Sequence, residues 1–130
     1  QEMMIRGQKW GIPTNVAMVL VHLHLHPEDS EPAAVAAANY FPRQTITFIL
    51  DLLEREGLAV RQPHPNDRRR KLVVLTSKGK EKAEEMVRDM IAFESAALRT
   101  IEDVDLPRLQ SFLTRYADAL AAQNDRDLKV

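Results

Sequence analysis

Residues 53–79 read LEREGLAVRQPHPNDRRRKLVVLTSKG, and few folds accommodate that order of residue types. The segment reads as the end of a helix, a strand, a turn rich in Pro, Asn and Asp that closes on a basic cluster, a second strand and a new helix. Strands are predicted at Ala59–Gln62 and Leu72–Leu75, around a turn that carries Pro63, Pro65, Asn66 and Asp67.

Apolar spacing supplies the helices. Val16, Val19, Leu20 and Leu23 fall at i, i+3, i+4 and i+7, with Thr14 as the expected cap and Pro27 followed by Glu28, Asp29 and Ser30 as the stop. A short Ala-rich helix is expected at about 32–38, a turn at Asn39-Tyr40-Phe41, and a further helix from about Pro42 to Glu56. That helix repeats the pattern in Ile46, Ile49, Leu50 and Leu53, and Gly57 ends it where a left-handed backbone costs glycine little. Two short helices, a tight turn and a helix with a polar outer face make a helix-turn-helix. A long helix is expected from Ser77 to about Ile101, and Asp105 and Pro107 open another. The last helix is expected to bury Leu106, Leu109, Leu113, Tyr116, Ala117 and Leu120, with a polar, frayed tail after Gln123. The helix-turn-helix offers little surface to cover these stripes, so the expected cover is a second copy of the chain, giving a homodimer, with an intramolecular bundle with the first helix as the alternative.

Composition narrows the classes of function. With 130 residues, 45% hydrophobic and 28% charged, the chain has the length and make-up of a single ordinary domain. It has no cysteine, which excludes disulfides, zinc fingers and thiol-based redox sensing. No apolar run approaches the roughly 18 residues of a membrane span, and residues 1–10 lack the apolar stretch of a signal peptide. A cytoplasmic location is expected, without membrane association. Glycine-rich phosphate loops and a recognisable Ser/His/Asp frame are missing too, so neither an enzyme nor a cofactor is expected.

The net charge of −1 conceals a local concentration. Arg61, Arg68, Arg69, Arg70 and Lys71 stand within one short stretch against Asp67 alone, while the acids lie mostly at Glu28, Asp29, Glu31 and after Glu81. Phosphate attraction is local, since charges beyond about 8 Å are screened at physiological salt. On the helix after Pro42 the apolar stripe turns Gln44, Phe48, Asp51 and Arg55 outward, with Thr45 and Thr47 on the flanks and Arg43 in the first turn. This suits a helix in the DNA major groove and a wing beside the backbone. Gln44 would pair with adenine, Arg43 with guanine or phosphate, and Thr45 and Thr47 with phosphate or a thymine methyl. A plain surface helix would have a similar outer face. A winged helix that binds protein is the wider alternative.

Across 42–79 the chain closely resembles the multiple-antibiotic-resistance regulator (MarR) family of winged-helix transcription factors, without a gap. The resemblance rests on Thr47, Leu53, Glu54, Gly57, Leu58, Arg61, Asp67-Arg68-Arg69, Lys71, Leu75-Thr76 and Gly79. Val19-Leu20, Leu23 and Val35-Ala36 extend it over roughly 14–80. It implies a mainly α fold with a small β-hairpin wing: a winged helix-turn-helix at about 14–76 within one domain, and dimerisation helices at about 1–13 and 77–123. It implies a homodimeric, sequence-specific repressor of a pseudo-palindromic operator on double-stranded DNA. Carried over, Arg69 enters the minor groove, Asp67 holds the wing arginines, and Arg68 and Lys71 serve phosphates; a guanidinium suits that narrow, negative groove.

Three features depart from the family pattern. Pro42 stands where a Ser cap is usual. Phe48 replaces an outward basic or polar residue, and either contacts thymine methyls or packs inward. Residues 1–12 are too few for the usual first helix, so either the last two helices carry the dimer or this chain begins inside a longer one.

The resemblance also implies relief of repression by a small aromatic or amphipathic ligand in a crevice beside the dimer helices. Trp10, Met18, Tyr40, Met86 and Phe93 are candidates for its lining, or ordinary core. His22 and His26, four apart on a helix, offer the alternative of a metal-responsive regulator, with Glu28 or Asp29 completing the site. Against that, Pro27 disturbs the helix at His26, and the only other His outside this cluster is in the wing.

Overall fold

The computed structural model describes residues 7–101 and 103–128, with side chains as far as residue 126. Of the 1–13 segment expected at the dimer interface, residues 1–6 lie outside the described residues. After a helical turn at residues 7–10, the order is α1 (Thr14–Leu25), a 3₁₀ turn (Pro27–Asp29), α2 (Pro32–Ala38), α3 (Arg43–Arg55), β1 (Ala59–His64), β2 (Asp67–Leu75), α4 (Ser77–Leu98) and α5 (Leu106–Leu128). The chain divides into two compact units, one ending at Phe93 and the other beginning at Glu94. Among the described residues no helix is long and apolar enough to cross a membrane.

The i, i+3, i+4, i+7 stripes do what their spacing demands. Val16, Val19, Leu20 and Leu23 of α1 pack with Val35 and Ala36 of α2 and with Ile46, Ile49, Leu50 and Leu53 of α3. Trp10, Ala17, Leu58, Ala59, Val73, Leu75, Ala83 and Met86 complete one core. The ends of α1 differ from expectation at the start only. Thr14 is its first helical residue, not its cap, because Pro13 already has extended geometry and its carbonyl accepts the Ala17 N–H at 3.0 Å. At the far end His26 N–H closes on the His22 carbonyl, and Pro27, which lacks an N–H, stops the helix.

Helices α2 and α3 end in the same way. In α2, Phe41 N–H reaches the Ala36 carbonyl and Tyr40 N–H the Ala37 carbonyl; in α3, Leu58 N–H reaches Leu53 and Gly57 N–H reaches Glu54. Both are Schellman motifs, which need one residue in the left-handed region. Gly57 meets the need at φ +69°, but Tyr40 does so at φ +56° while its ring is 94% exposed. A side chain there is strained by about 1–2 kcal/mol and has little contact to offset it. Tyr40→Gly is therefore expected to raise stability by about 1 kcal/mol. A thermal melt unchanged from the parent would mean that the ring makes contacts worth as much as the strain.

The hairpin is longer and its turn tighter than predicted. Pairing runs from Ala59↔Leu75 to Pro63↔Lys71, then jumps to His64↔Asp67 around a turn at Pro65-Asn66. Pro63 is tolerated inside β1 because a two-stranded ribbon has free outer edges. The jump leaves Arg68, Arg69 and Arg70 without partners on β1, so the arginine triplet bulges from the ladder. Val73 N–H also donates to the buried Ser30 carbonyl at 2.9 Å, tying β2 to the entrance of α2.

The C-terminal helices require two corrections. Helix α4 stops at Leu98 rather than near Ile101, where the Thr100 hydroxyl donates to the Ala97 carbonyl at 2.7 Å. Asp105 caps α5 as expected, accepting the Arg108 N–H at 3.1 Å, but the helix continues to Leu128 instead of fraying after Gln123. Arg126 in its last turn complements the negative end of the helix dipole. Leu106, Leu109, Leu113, Tyr116, Ala117 and Leu120 are all exposed in the single chain, as an apolar stripe that a second copy covers would be. The core closes without them.

Candidate nucleic-acid interface

Helix α3 presents the face that its stripe requires. With Ile46, Ile49 and Leu50 inward, Arg43, Gln44, Thr47 and Phe48 are exposed, and Thr45 is half-buried on the flank. Pro42 occupies the N-cap position itself and makes no side-chain cap, though its carbonyl accepts the Ile46 N–H at 3.1 Å. The alternatives for Phe48 resolve outward: its ring is 61% exposed. The Thr47 hydroxyl donates to the Arg43 carbonyl at 3.0 Å.

The wing joins this face in one groove of about 350 Å³, lined by Glu31, Arg43, Ile46, Thr47, Arg69 and Lys71 among others. Four of the site residues predicted from sequence thus converge: Arg43 and Thr47 from α3, and Arg69 and Lys71 from β2. Gln44, Phe48, Asp67 and Arg68 lie outside the groove lining and are exposed, as is the groove's own Arg69. The Asp67 carboxylate accepts the main-chain N–H of Arg69 at 3.0 Å, which shapes the bulge from its backbone. At the tip, His64 Nδ1 accepts the Asn66 N–H at 3.1 Å.

Two of the five cations in the sequence cluster are committed elsewhere. Arg61 donates to Asp51 at 2.8 Å and to Glu54 at 2.9 Å, while its own N–H reaches Glu54 at 3.0 Å. It fastens β1 to α3 and is no free phosphate ligand. Arg70 forms a forked pair with Glu31, with Nε at 3.0 Å from Oε2 and a second, shorter contact to Oε1. The hydrogen bond from Arg70, and then its charge, holds the Glu31 carboxyl below the ordinary carboxylate range. Pairing also cancels the one acid in the groove lining, which would otherwise repel a phosphate. Arg68, Arg69 and Lys71 have no ion pair among the described residues. The Glu31–Arg70 pair could not be found from periodicity, because it joins residues 39 apart.

Residues 10–70 match the MarR family. That stretch is similar to the MarR family, and the fold around it is a winged helix-turn-helix. No curated protein matches the chain. Among solved structures, a MarR family transcription regulator is 25% identical, with 93% of this chain and 82% of the other covered and a TM-score of 0.75. MepR, described as a transcription regulator of the Staphylococcus aureus multidrug efflux pump MepA, is 21% identical, with 92% and 88% covered and a TM-score of 0.74. The S. aureus MepR–DNA complex is also similar, at 21% identity, the same coverage and a TM-score of 0.70.

The other sequence candidates separate. Trp10 and Met18 line an apolar cavity of about 300 Å³ with Val21, His22, His26 and Met90. Trp10 Nε1 is held by Asp89 at 3.2 Å, and the same carboxylate takes Lys9 at 2.6 Å. Met86 is fully buried core, Tyr40 is exposed, and Phe93 does not line the cavity. The His22 and His26 rings lie 5.3 Å apart. Among the described residues no group of three or more His, Cys, Asp and Glu is arranged to hold a metal.

Proposed function

We propose that this chain is a DNA-binding transcriptional regulator that acts as a homodimeric repressor of a pseudo-palindromic operator and is released by a small ligand. The observation that carries this reading is the convergence of Arg43, Arg69 and Lys71 on one groove beside the exposed face of α3. Cations from a helix and a wing, aimed at one channel, suit a duplex entering with a base-bearing groove on one side and phosphates on the other. Arg43 contacts guanine or phosphate, Gln44 pairs with adenine, and Thr45 contacts phosphate or a thymine methyl. Arg69 enters the minor groove on a backbone shaped by Asp67, and Arg68 and Lys71 serve phosphates. MepR, similar in fold, has been crystallised with DNA. A role on DNA goes with a cytoplasmic location.

The exposed stripe of α5 supports the dimer, and a twofold axis would set two α3 helices about one DNA turn apart. The apolar cavity beside Trp10 suits a small aromatic or amphipathic molecule. Such a ligand releases DNA if it binds more tightly to a dimer whose α3 helices no longer match the operator spacing.

Selection of the purified protein on a randomised duplex pool, with affinity followed against salt, tests the reading. An inverted repeat bound with a steep salt slope is expected. Weak, sequence-blind binding would instead favour a winged helix that binds protein. Arg69→Ala is expected to weaken operator binding by about 1–3 kcal/mol. Lys78→Ala, whose ammonium donates to the Glu56 carbonyl at the end of α3, should matter much less. Equal losses would show that the wing is misassigned.

A further inference from the structure

Phe48 is the anomaly of the exposed face of α3. A phenyl ring has no donor or acceptor, so it cannot read a base edge by hydrogen bonding, yet it is 61% exposed and Gln44 lies one turn before it on the same face. Its neighbours make this part of the face more apolar than composition suggests. The proton of the Thr47 hydroxyl is spent on the Arg43 carbonyl, so that residue's remaining offering includes its methyl. The Asp51 carboxylate, one turn beyond Thr47, is drawn to Arg61 at 2.8 Å. In the major groove the apolar feature that complements such a surface is the methyl group on C5 of a pyrimidine.

We propose that Phe48, with the Thr47 methyl beside it, is a specificity determinant that reads the C5-methyl group of a pyrimidine in the operator. This rests on the DNA-binding reading above. Thymine and 5-methylcytosine carry that group in the same position, and both present it to the same ring. Gln44, one turn earlier, would read an adjacent base edge by hydrogen bonding, so the face combines a polar and an apolar readout.

The test uses the duplex selected by the full chain, with each thymine replaced in turn by uracil, which removes the methyl and leaves base pairing unchanged. Loss of affinity of about threefold to tenfold is expected at one position of each half-site. Phe48→Ala should bind the thymine and uracil duplexes alike at that position, and Phe48→Leu should keep part of the preference. Both substitutions are on the surface, and an unchanged thermal melt will show that the fold is intact. A second arm puts a C·G pair at the same position, with and without a 5-methyl on the cytosine. A gain with 5-methylcytosine that Phe48→Ala abolishes identifies the methyl mark as a second source, and a preference confined to thymine identifies thymine as the source. Binding indifferent to uracil at every position, or a preference kept by Phe48→Ala, overturns the proposal while leaving a sequence-specific DNA binder. Failure of the parent protein to select any duplex would overturn the DNA-binding reading itself.

Discussion

Gly79→Ala is expected to unfold the winged helix, lowering the thermal midpoint by at least about 15 °C, the equivalent of some 3–4 kcal/mol. A β-carbon at Gly79 would stand 1.9 Å from the Leu58 carbonyl oxygen and 2.9 Å from its carbon, and backbone cannot swing aside as a side-chain tip can. That carbonyl is also fixed from other directions. Thr76 N–H donates to it at 3.1 Å, the Thr76 hydroxyl donates to the Gly57 carbonyl at 2.6 Å and accepts the Gly79 N–H at 3.1 Å, and Leu58 N–H closes the Schellman end of α3. The start of α4 is thus pressed against the end of α3, with β1 and β2 returning between them in sequence. Relief would have to pull apart the buried Leu58, Ala83 and Met86. Gly57→Ala is the comparator: at φ +69° with nothing within 4 Å, it should cost only about 1 kcal/mol. A Gly79→Ala protein melting within a few degrees of the parent would show that the helix start can shift at little cost.

The second large effect concerns α5. Leu106, Leu109, Leu113, Tyr116 and Leu120 are spaced alternately by three and four residues, the seam of a coiled coil. All five are exposed, as is Phe112, whose ring stacks on Tyr116 with centroids 6.2 Å apart. Under the dimer proposed above, Leu109→Glu with Leu113→Glu would bring four uncompensated charges into the interface. The double variant is expected to sediment as a monomer. Its operator affinity should fall by about 10²–10⁴-fold, because each half-site must then be held without the other. Since neither leucine belongs to the buried core, the melt of the winged helix should change little. A variant that stays dimeric would show that another surface holds the copies together.

Much of the fold was legible because its determinants are local. The stripes of α1 and α3, the boundaries of α2, the Gly57 stop and the Asp105 cap each depend on residues within about one or two helical turns, where backbone geometry alone decides which side chains share a face. The same periodicity turned Gln44 and Phe48 outward on α3. Composition and spacing likewise marked residues 61–71 as the cationic hairpin, and the resemblance carried by Asp67-Arg68-Arg69 pointed to the family that residues 10–70 match.

Only the tertiary structure decided which of those cations are free. Arg61 lies within reach of Asp51 and Glu54 only once β1 folds back on α3, and Arg70 meets Glu31 only when β2 reaches the entrance of α2. The same holds for the bulge that extrudes Arg68–Arg70, the exposure of Tyr40 and the close approach at Gly79. The stripe of α5 shows the limit from the other side: periodicity established that it is amphipathic, and the structure established that the described part of this chain leaves it uncovered. A repeat of apolar residues specifies which face must be buried, because that is a property of one helix. What buries it, and which charge meets which, depends on segments far apart in sequence that only folding or assembly brings within a few ångströms.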